Sequence, residues 1–297
     1  MSFQVTEAMV QQYGTNFRTL FQQRQARLRP WCQVEAGIVG QSKSVERIGK
    51  AEAYDITSRH ADTKYVEVPH SRRWIDLQDK GWAELIDELD KIRMLADPTS
   101  PYASLATYAL NRQIDDIIMS ASRGNARTNS GVSALPAAQK IAAGGTSLTL
   151  AKLLTAKEIL DSNEVDDDAS MAADGQSTSE QAVRVMVVNA KMLTNLYGTT
   201  EIKSIDYNSV KALAQGQIDT FLGFKFVRSE RVAKDATATT GYAVCWSRSC
   251  MGLGIGKDIM TSIDPLPGKN YSVQIYARMS IGATRLEDEG VVEIACA

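Results

Sequence analysis

The chain has 297 residues, 44% hydrophobic and 23% charged, the composition of an ordinary soluble globular protein, which excludes disordered and fibrous classes. Lys and Arg number 33 against 35 Asp and Glu, a net charge of −2, so the basic excess of a dedicated nucleic-acid reader is missing. Four cysteines are too few for a disulfide scaffold and point to free thiols in a reducing compartment; no apolar run nears the roughly 20 residues of a membrane helix, and no Sec signal opens the chain.

Charge is uneven along the chain. The first 50 residues carry Arg18, Arg24, Arg27, Arg29, Lys43, Arg47 and Lys50 against Glu7, Glu35 and Glu46, which leaves the remainder net negative. Between residues 8 and 34 the arginines stand without an acid, beside Met9, Val10, Tyr13, Phe17, Leu20, Phe21 and Leu28 at loosely helical spacing. Such a segment, ending at Pro30, packs on its own fold with solvated arginines, or lies on a membrane, nucleic acid or a neighbouring subunit. Residues 39–79 read as β, with polar-rich strands over 51–57 and 65–75 joined by the tip 58–64. Neither strand alternates well enough to bury a face, and so apolar-poor a hairpin needs something to lie on.

Residues 81–95 predict a helix, with Trp82, Leu85, Ile86, Leu89 and Ile92 on one stripe, Asp79 as cap and Asp97-Pro98 as stop. The strongest element follows. Ser100 is placed to cap, Pro101 takes the first helical position and Gly124 lies past the end. Between them Tyr102, Leu105, Ala106, Ala109, Leu110, Ile114, Ile117, Ile118 and Ala121 recur at helical spacing. Residues 124–147 are small and polar, a loop or connecting hairpin. A helix over 148–163 precedes an exposed acidic stretch, 164–181. A β-branched strand over 183–188 passes through Asn189, a good cap, into a short helix over 190–197 ended by Gly198. After a second polar insertion come strands over 221–227 and 242–247. Val273, Ile275, Ala277, Met279 and Ile281 alternate strictly, and a last strand covers 291–296. The order is α+β, not an alternating parallel wound fold.

Signals for chemistry are weak. His60 and His70 fall in the polar hairpin, and Cys245 and Cys250 lack the second pair of a zinc site. No GxSxG occurs. Gly252, Gly254, Gly256 and Lys257 look briefly like a phosphate loop but miss a glycine at Met251 and a Ser or Thr at Asp258. A glycine-bearing strand and turn is the simpler reading. Asp166, Asp167 and Asp168, near Asp161, Asn163 and Glu164, lack the glycine and downstream Glu of a calcium loop, and runs of acids are ordinarily just solvated. Arg72, Arg73 and Trp74, with Arg59 and His60 across the hairpin, offer guanidinium and aromatic groups to a partner, or stand in solvent. No catalytic, cofactor or metal site emerges.

Several stretches stand in a telling order: Pro69-His70-Ser71-Arg72-Arg73-Trp74, Trp82-Ala83-Glu84-Leu85-Ile86-Asp87, Asp97-Pro98-Thr99-Ser100-Pro101-Tyr102, Phe221-Leu222-Gly223-Phe224 and Gly282-Ala283-Thr284-Arg285. With the charged arm, the under-buried hairpin and the long helix, they resemble the tailed-bacteriophage major capsid proteins of the HK97-like fold over nearly the whole chain. The resemblance implies an α+β capsid subunit with an N-terminal arm over 1–38 and an extended loop, the E-loop, over 39–79 that lies across a neighbour. It further implies a peripheral domain over 80–146 with the long helix as spine, an axial domain over 147–265 and return strands over 266–297.

Implied too are hexamers and pentamers closing into an icosahedral shell around double-stranded DNA, a non-enzymatic role, and a place in the virion after assembly in the host cytoplasm. Arg59, His60, Arg72, Arg73 and Trp74 then stand at the subunit interface. Arg18, Arg24, Arg27 and Arg29 face DNA on the inner wall or pair with a neighbour's acids around 287–289. A portal protein is an expected partner, with room for a decoration protein. Only about 38 residues precede the hairpin, so a separate scaffolding protein is expected. The rivals are an encapsulin-like nanocompartment shell and a soluble α+β enzyme using the glycine-rich turn for an anion.

Overall fold

The computed structural model describes residues 20–59, 62–87, 99–165, 184–198, 220–235 and 240–297. The first strands are β1 (Gln33–Ala36), β2 (Ser42–Ile48), β3 (His70–Asp76) and β4 (Gln78–Ile86). Helix α1 (Thr99–Arg123) leads into the hairpin of β5 (Ala126–Thr128) and β6 (Gly131–Ser133), then β7 (Lys140–Ile141). There follow α2 (Leu150–Ser162), β8 (Arg184–Val188), α3 (Ala190–Gly198), β9 (Thr220–Phe221) and β10 (Phe224–Arg228). Last come β11 (Gly241–Ser247), β12 (Met251–Leu266), β13 (Ser272–Arg285) and β14 (Val291–Cys296). The chain divides into two compact units: one from the described residues of Met1–Ala26, Asp79–Gln113 and Lys257–Ser280, the other from Arg27–Gln78, Ile114–Gly256 and Ile281–Ala297.

The second unit is centred on a mixed six-stranded sheet ordered β7-β14-β11-β8-β10-β9. Every residue of β8, including Arg184, is buried, and its Val185, Met186, Val187 and Val188 form the apolar run of a strand covered on both faces. Leu153, Ala156 and Leu160 of α2 are buried, and that helix lies against β14. Thr149 caps α2, its Oγ1 accepting from the Lys152 amide at 3.4 Å. Asn189 caps α3 as its sequence position predicts, Oδ1 accepting from the Met192 amide at 2.8 Å. The single strand expected over 221–227 is instead the tight hairpin β9–β10. Leu222 and Gly223 both adopt positive φ, the geometry of a two-residue turn that matches strand twist.

Helix α1 forms where its periodicity placed it. Ala106, Leu110, Ile114, Ile117 and Ile118 are buried. It begins at Thr99, so Ser100 sits inside the first turn and does not cap it. The Gly124 amide closes the last turn on Ser120 O at 2.8 Å. The small polar segment after it supplies the expected hairpin, β5–β6, which joins β2 and β3 in a four-stranded sheet ordered β2-β3-β5-β6.

Two further expectations fail. The helix over 81–95 is contradicted by β4, which occupies its first turns and borders β13 in the sheet ordered β1-β12-β13-β4; residues 88–95 lie outside the described residues. Gly81 packs against the Tyr276 ring, where an added Cβ would sit 3.5 Å away. Pairing with a long neighbour strand outweighs the helical spacing of Trp82, Leu85 and Ile86. In the hairpin, the ladder forms nearer the root than predicted. β2 pairs β3 from Ser42↔Asp76 to Ile48↔His70, while residues 49–59 and 62–69 carry no strand. Ala51, Glu52 and Asp55 are poor strand formers, and a strand without a neighbour is not stable.

Candidate functional site

Strand β3 divides its side chains between two faces, as every strand must. Arg73 and Ile75 point inward and are buried, while Arg72 and Trp74 point outward. On the inner side the Arg73 Nη2 donates to Asp288 Oδ2 at 2.5 Å, and Ser133 Oγ of β6 donates to the same oxygen at 2.8 Å. The other Asp288 oxygen accepts from Arg285 Nε at 3.0 Å. Arg285 is fully buried. Its Nη1 donates to the carbonyls of Ala121 and Ser122 at 3.3 Å and of Gly124, and its Nη2 to Ser133 O at 3.0 Å. A cation thus closes the C-terminus of α1, where unpaired carbonyls and the helix dipole both favour positive charge. Burial by itself would raise the Asp288 carboxyl, but hydrogen bonds from Arg285 and Ser133 and the charges of Arg73 and Arg285 outweigh it and hold the group below the usual carboxylate range.

The outward side is built differently. Arg72 pairs with Glu46 at 2.6 Å and Arg127 with Asp76 at 2.7 Å, all four side chains about half-exposed. Both guanidinium groups stand near the Trp74 ring, at 5.9 and 5.2 Å from its centroid, within cation–π reach. Arg59 and His70 are exposed, and His60 lies outside the described residues. The Arg72-Arg73-Trp74 run is therefore one inward anchor between two outward groups. Beyond it Lys50 meets Glu164 at 2.8 Å; the shared hydrogen bond raises the lysine and lowers the carboxyl.

Of the arm, Arg18 lies outside the described residues. Arg24 stands 5.9 Å from the Tyr108 ring centroid, and its carbonyl accepts from Asn111 Nδ2 at 3.0 Å. Arg27 donates through Nη1 to Arg228 O at 2.6 Å. Arg29 is half-buried. Fully buried Asp115 accepts from the amides of Arg27 and Leu28 at 3.1 and 3.0 Å, fastening the arm to α1. The sequence reading missed this, although an acid between Ile114 and Ile117 on an apolar stripe is itself a signal of a partnered buried charge.

Lys152, in the first turn of α2, was missed as well. Its Nζ donates to the carbonyls of Ala143, Thr146, Ser147 and Ala295 at 2.7–3.1 Å, and burial lowers the amine from its ordinary value. Gly252 and Gly254 of β12 serve close packing: a Cβ on Gly254 would lie 2.6 Å from Ile38 Cδ1 and 2.7 Å from Ile75 Cγ2. The phosphate-loop likeness thus resolves into a strand. Asp161 pairs with Arg184 at 2.6 Å, residues 166–168 are outside the described ones, and no metal-type cluster occurs among the described residues. All four cysteines are free and buried. Burial pushes the Cys32, Cys245 and Cys250 thiols up to about 12 and raises Cys296. An open cleft of about 460 Å³ is lined by Asp116, Ser120, Arg123 and Arg231, with Arg231–Asp116 at 3.3 Å and Arg123–Glu293 at 2.8 Å. No helix among the described residues is long and apolar enough to cross a membrane.

The sequence profile of the phage capsid protein family matches residues 5–297. No curated protein matches the chain. Among solved structures, the capsid of cyanophage P-SCSP1u superimposes with a TM-score of 0.74 at 16% identity, covering 99% of this chain and 94% of that one. The capsid of Ralstonia phage GP4 gives 0.75 at 9% identity, with 97% and 95% covered. The capsid of an empty GTA particle gives 0.69 at 15% identity, with 100% and 98% covered.

Proposed function

The chain belongs to the phage capsid protein family, and from that premise we propose that its copies form hexamers and pentamers closing into an icosahedral shell around double-stranded DNA. It is a major capsid protein with the HK97-like fold, a self-assembling component of the virion shell. The family match favours this over a nanocompartment shell or a soluble enzyme. Residues 1–38 are the arm, 39–79 the E-loop, 80–146 the peripheral domain, 147–265 the axial domain and 266–297 the return strands. Assembly takes place in the host cytoplasm with a separate scaffolding protein and a portal protein, and a decoration protein has the outer surface to bind.

One observation carries the E-loop reading. Among the described residues, 50–59 and 62–68 have no strand partner, yet Ile56 is 82% and Tyr65 92% exposed. Such a segment gains its hydrogen bonds and its burial from a neighbour. Arg59, His60, Arg72 and Trp74 face that neighbour, and Arg73 holds the loop root from inside. Deleting residues 59–64 is expected to leave the subunit folded and to abolish shells seen by electron microscopy; normal particles from the deletion would sink the reading.

The arm supplies the second contact. Arg18, Arg24, Arg27 and Arg29 concentrate positive charge in a chain otherwise net negative, and packaged phosphate attracts it within a Debye length of about 8–10 Å. Replacing Arg24, Arg27 and Arg29 by Glu is expected to spare empty shells and to lower the yield or salt tolerance of filled heads. Loss of all assembly would instead make the arm a clamp between subunits.

A further inference from the structure

We propose that a small inorganic oxyanion, phosphate or sulfate, binds beneath the inner face of the β2–β3 ladder, between Arg47, Arg73 and the turn at 286–290. The site belongs to the folded subunit and goes beyond the shell reading, on which it does not depend.

The charges beneath that face do not balance. Arg73 and Arg285 keep only 6% and 0% of their side chains in solvent, and among the described residues Asp288 is the one carboxylate that either of them meets. For Arg285 the carbonyls of Ala121, Ser122, Gly124 and Ser133 take up the remaining donors, and the dipole of α1 offsets part of its charge. Nothing of that kind serves Arg73. Its Nη2 shares Asp288 with Arg285 and Ser133. Its Nε and Nη1 are shut off from solvent with no hydrogen-bond partner among the described residues. A buried guanidinium with idle donors is costly.

A second arginine stands beside it. The register pairs Val45 with Arg73 and Arg47 with Ser71, so Arg47 and Arg73 are diagonal neighbours on one face, their Cβ atoms about 7 Å apart. Half-buried Arg47 likewise leaves its Nε enclosed and unpartnered. Its charge acts on the Cys250 thiol, and Cys250 is fastened to the turn, its carbonyl accepting from the Leu286 amide at 2.8 Å. Strand and turn thus gather three idle donor atoms on two guanidinium groups. Glu287 and Glu289 of the same turn are exposed.

The chemistry selects the ligand. Water would accept these hydrogen bonds and leave the excess positive charge in place. A tetrahedral oxyanion supplies both acceptor oxygens and negative charge, in the arrangement guanidinium groups recognise. An enclosed place admits a free ion rather than a phosphate carried on a polymer, and half-buried Arg47 marks the way in.

Full-length subunits dialysed against radiolabelled sulfate at constant ionic strength test this. Saturable binding of one sulfate per chain is expected, displaced by inorganic phosphate and not by chloride. Absence of saturable binding overturns the proposal, and displacement by chloride at equal concentration overturns the oxyanion assignment. Arg47→Gln is expected to weaken binding at least tenfold while keeping the parent's thermal midpoint in sulfate-free buffer, and Arg47→Lys to regain part of the loss. Arg278→Gln removes the same charge from the other compact unit and is expected to bind as the parent does. Equal weakening by Arg47→Gln and Arg278→Gln would reduce the effect to net charge and overturn the site. Binding to the parent and its competition need no variant, so a misfolded variant does not shelter the proposal. Saturable sulfate binding by a chain that builds no shells would uphold this site and retire the shell reading alone.

Discussion

Arg285 and Asp288 join three stretches far apart in sequence: the β3 strand, the end of α1 with the β5–β6 hairpin that follows it, and the β13–β14 turn. Removing one partner leaves the others buried and unmatched, which is far costlier than the pair's own net contribution. Arg285→Ala is expected to lower stability by about 3–5 kcal/mol, read as a drop in the urea midpoint of the isolated subunit; a change within error would show that the hub is bystander. The depressed Asp288 carboxyl adds a pH dependence. Its folded value lies below its unfolded one, so its contribution is full at neutral pH and is lost as pH falls through the folded value, below about 4. Asp288→Asn is therefore expected to be less stable than the parent at pH 7 and to show a smaller loss between pH 5 and 2, checked by thermal melts across that range. None of this was legible in the sequence. Arg285 and Asp288 were visible as residues, but Arg73 and Asp288 are 215 positions apart, and no local pattern reports such a meeting.

Among the elements, legibility followed the length of the local pattern. The 25 residues of α1 repeat the helical period often enough to override chance, and β13 alternates over much of its 14. β4 went the other way. Its apolar residues fit a helix as well as a strand, and the decision came from a neighbouring strand almost 200 residues downstream. The root ladder was displaced because strand propensity locates a segment, whereas a partner locates the ladder. Two substitutions test these elements. Ile114→Asp places a charge on the fully buried stripe of α1 and is expected to yield insoluble subunits; soluble, assembling protein would remove the helix from the core. Gly282→Ala drives a Cβ into the main-chain carbonyl of Asp76, which backbone alone cannot avoid. A drop of several degrees in melting temperature is expected, while Gly131→Ala, whose Cβ meets open space but whose φ is positive, should cost about 1 kcal/mol.

For the whole molecule, the free, buried thiols make a simple check of integrity. Intact shells are expected to resist iodoacetamide at pH 7, and denatured, unreduced shells to take up four equivalents by mass. Fewer than four would reveal a bridge, and early uptake by intact shells would reveal an open core. Charge at this scale is nearly balanced, so a shell of such subunits would hold the proposed DNA without gripping its phosphates. The division of β3 into inward and outward side chains carries a consequence for how such shells diversify. Arg73 and Ile75 answer to the fold, Arg72 and Trp74 to whatever lies outside. A lineage can therefore rewrite every second residue of this strand, changing which neighbours it accepts, while its subunit keeps folding as before. A single inserted or deleted residue has no such freedom: it exchanges the two sets at once, exposing the anchor and burying the contact. Substitutions should drift at the outward positions of this strand, and length changes should be purged from it and displaced into the loop beyond residue 48.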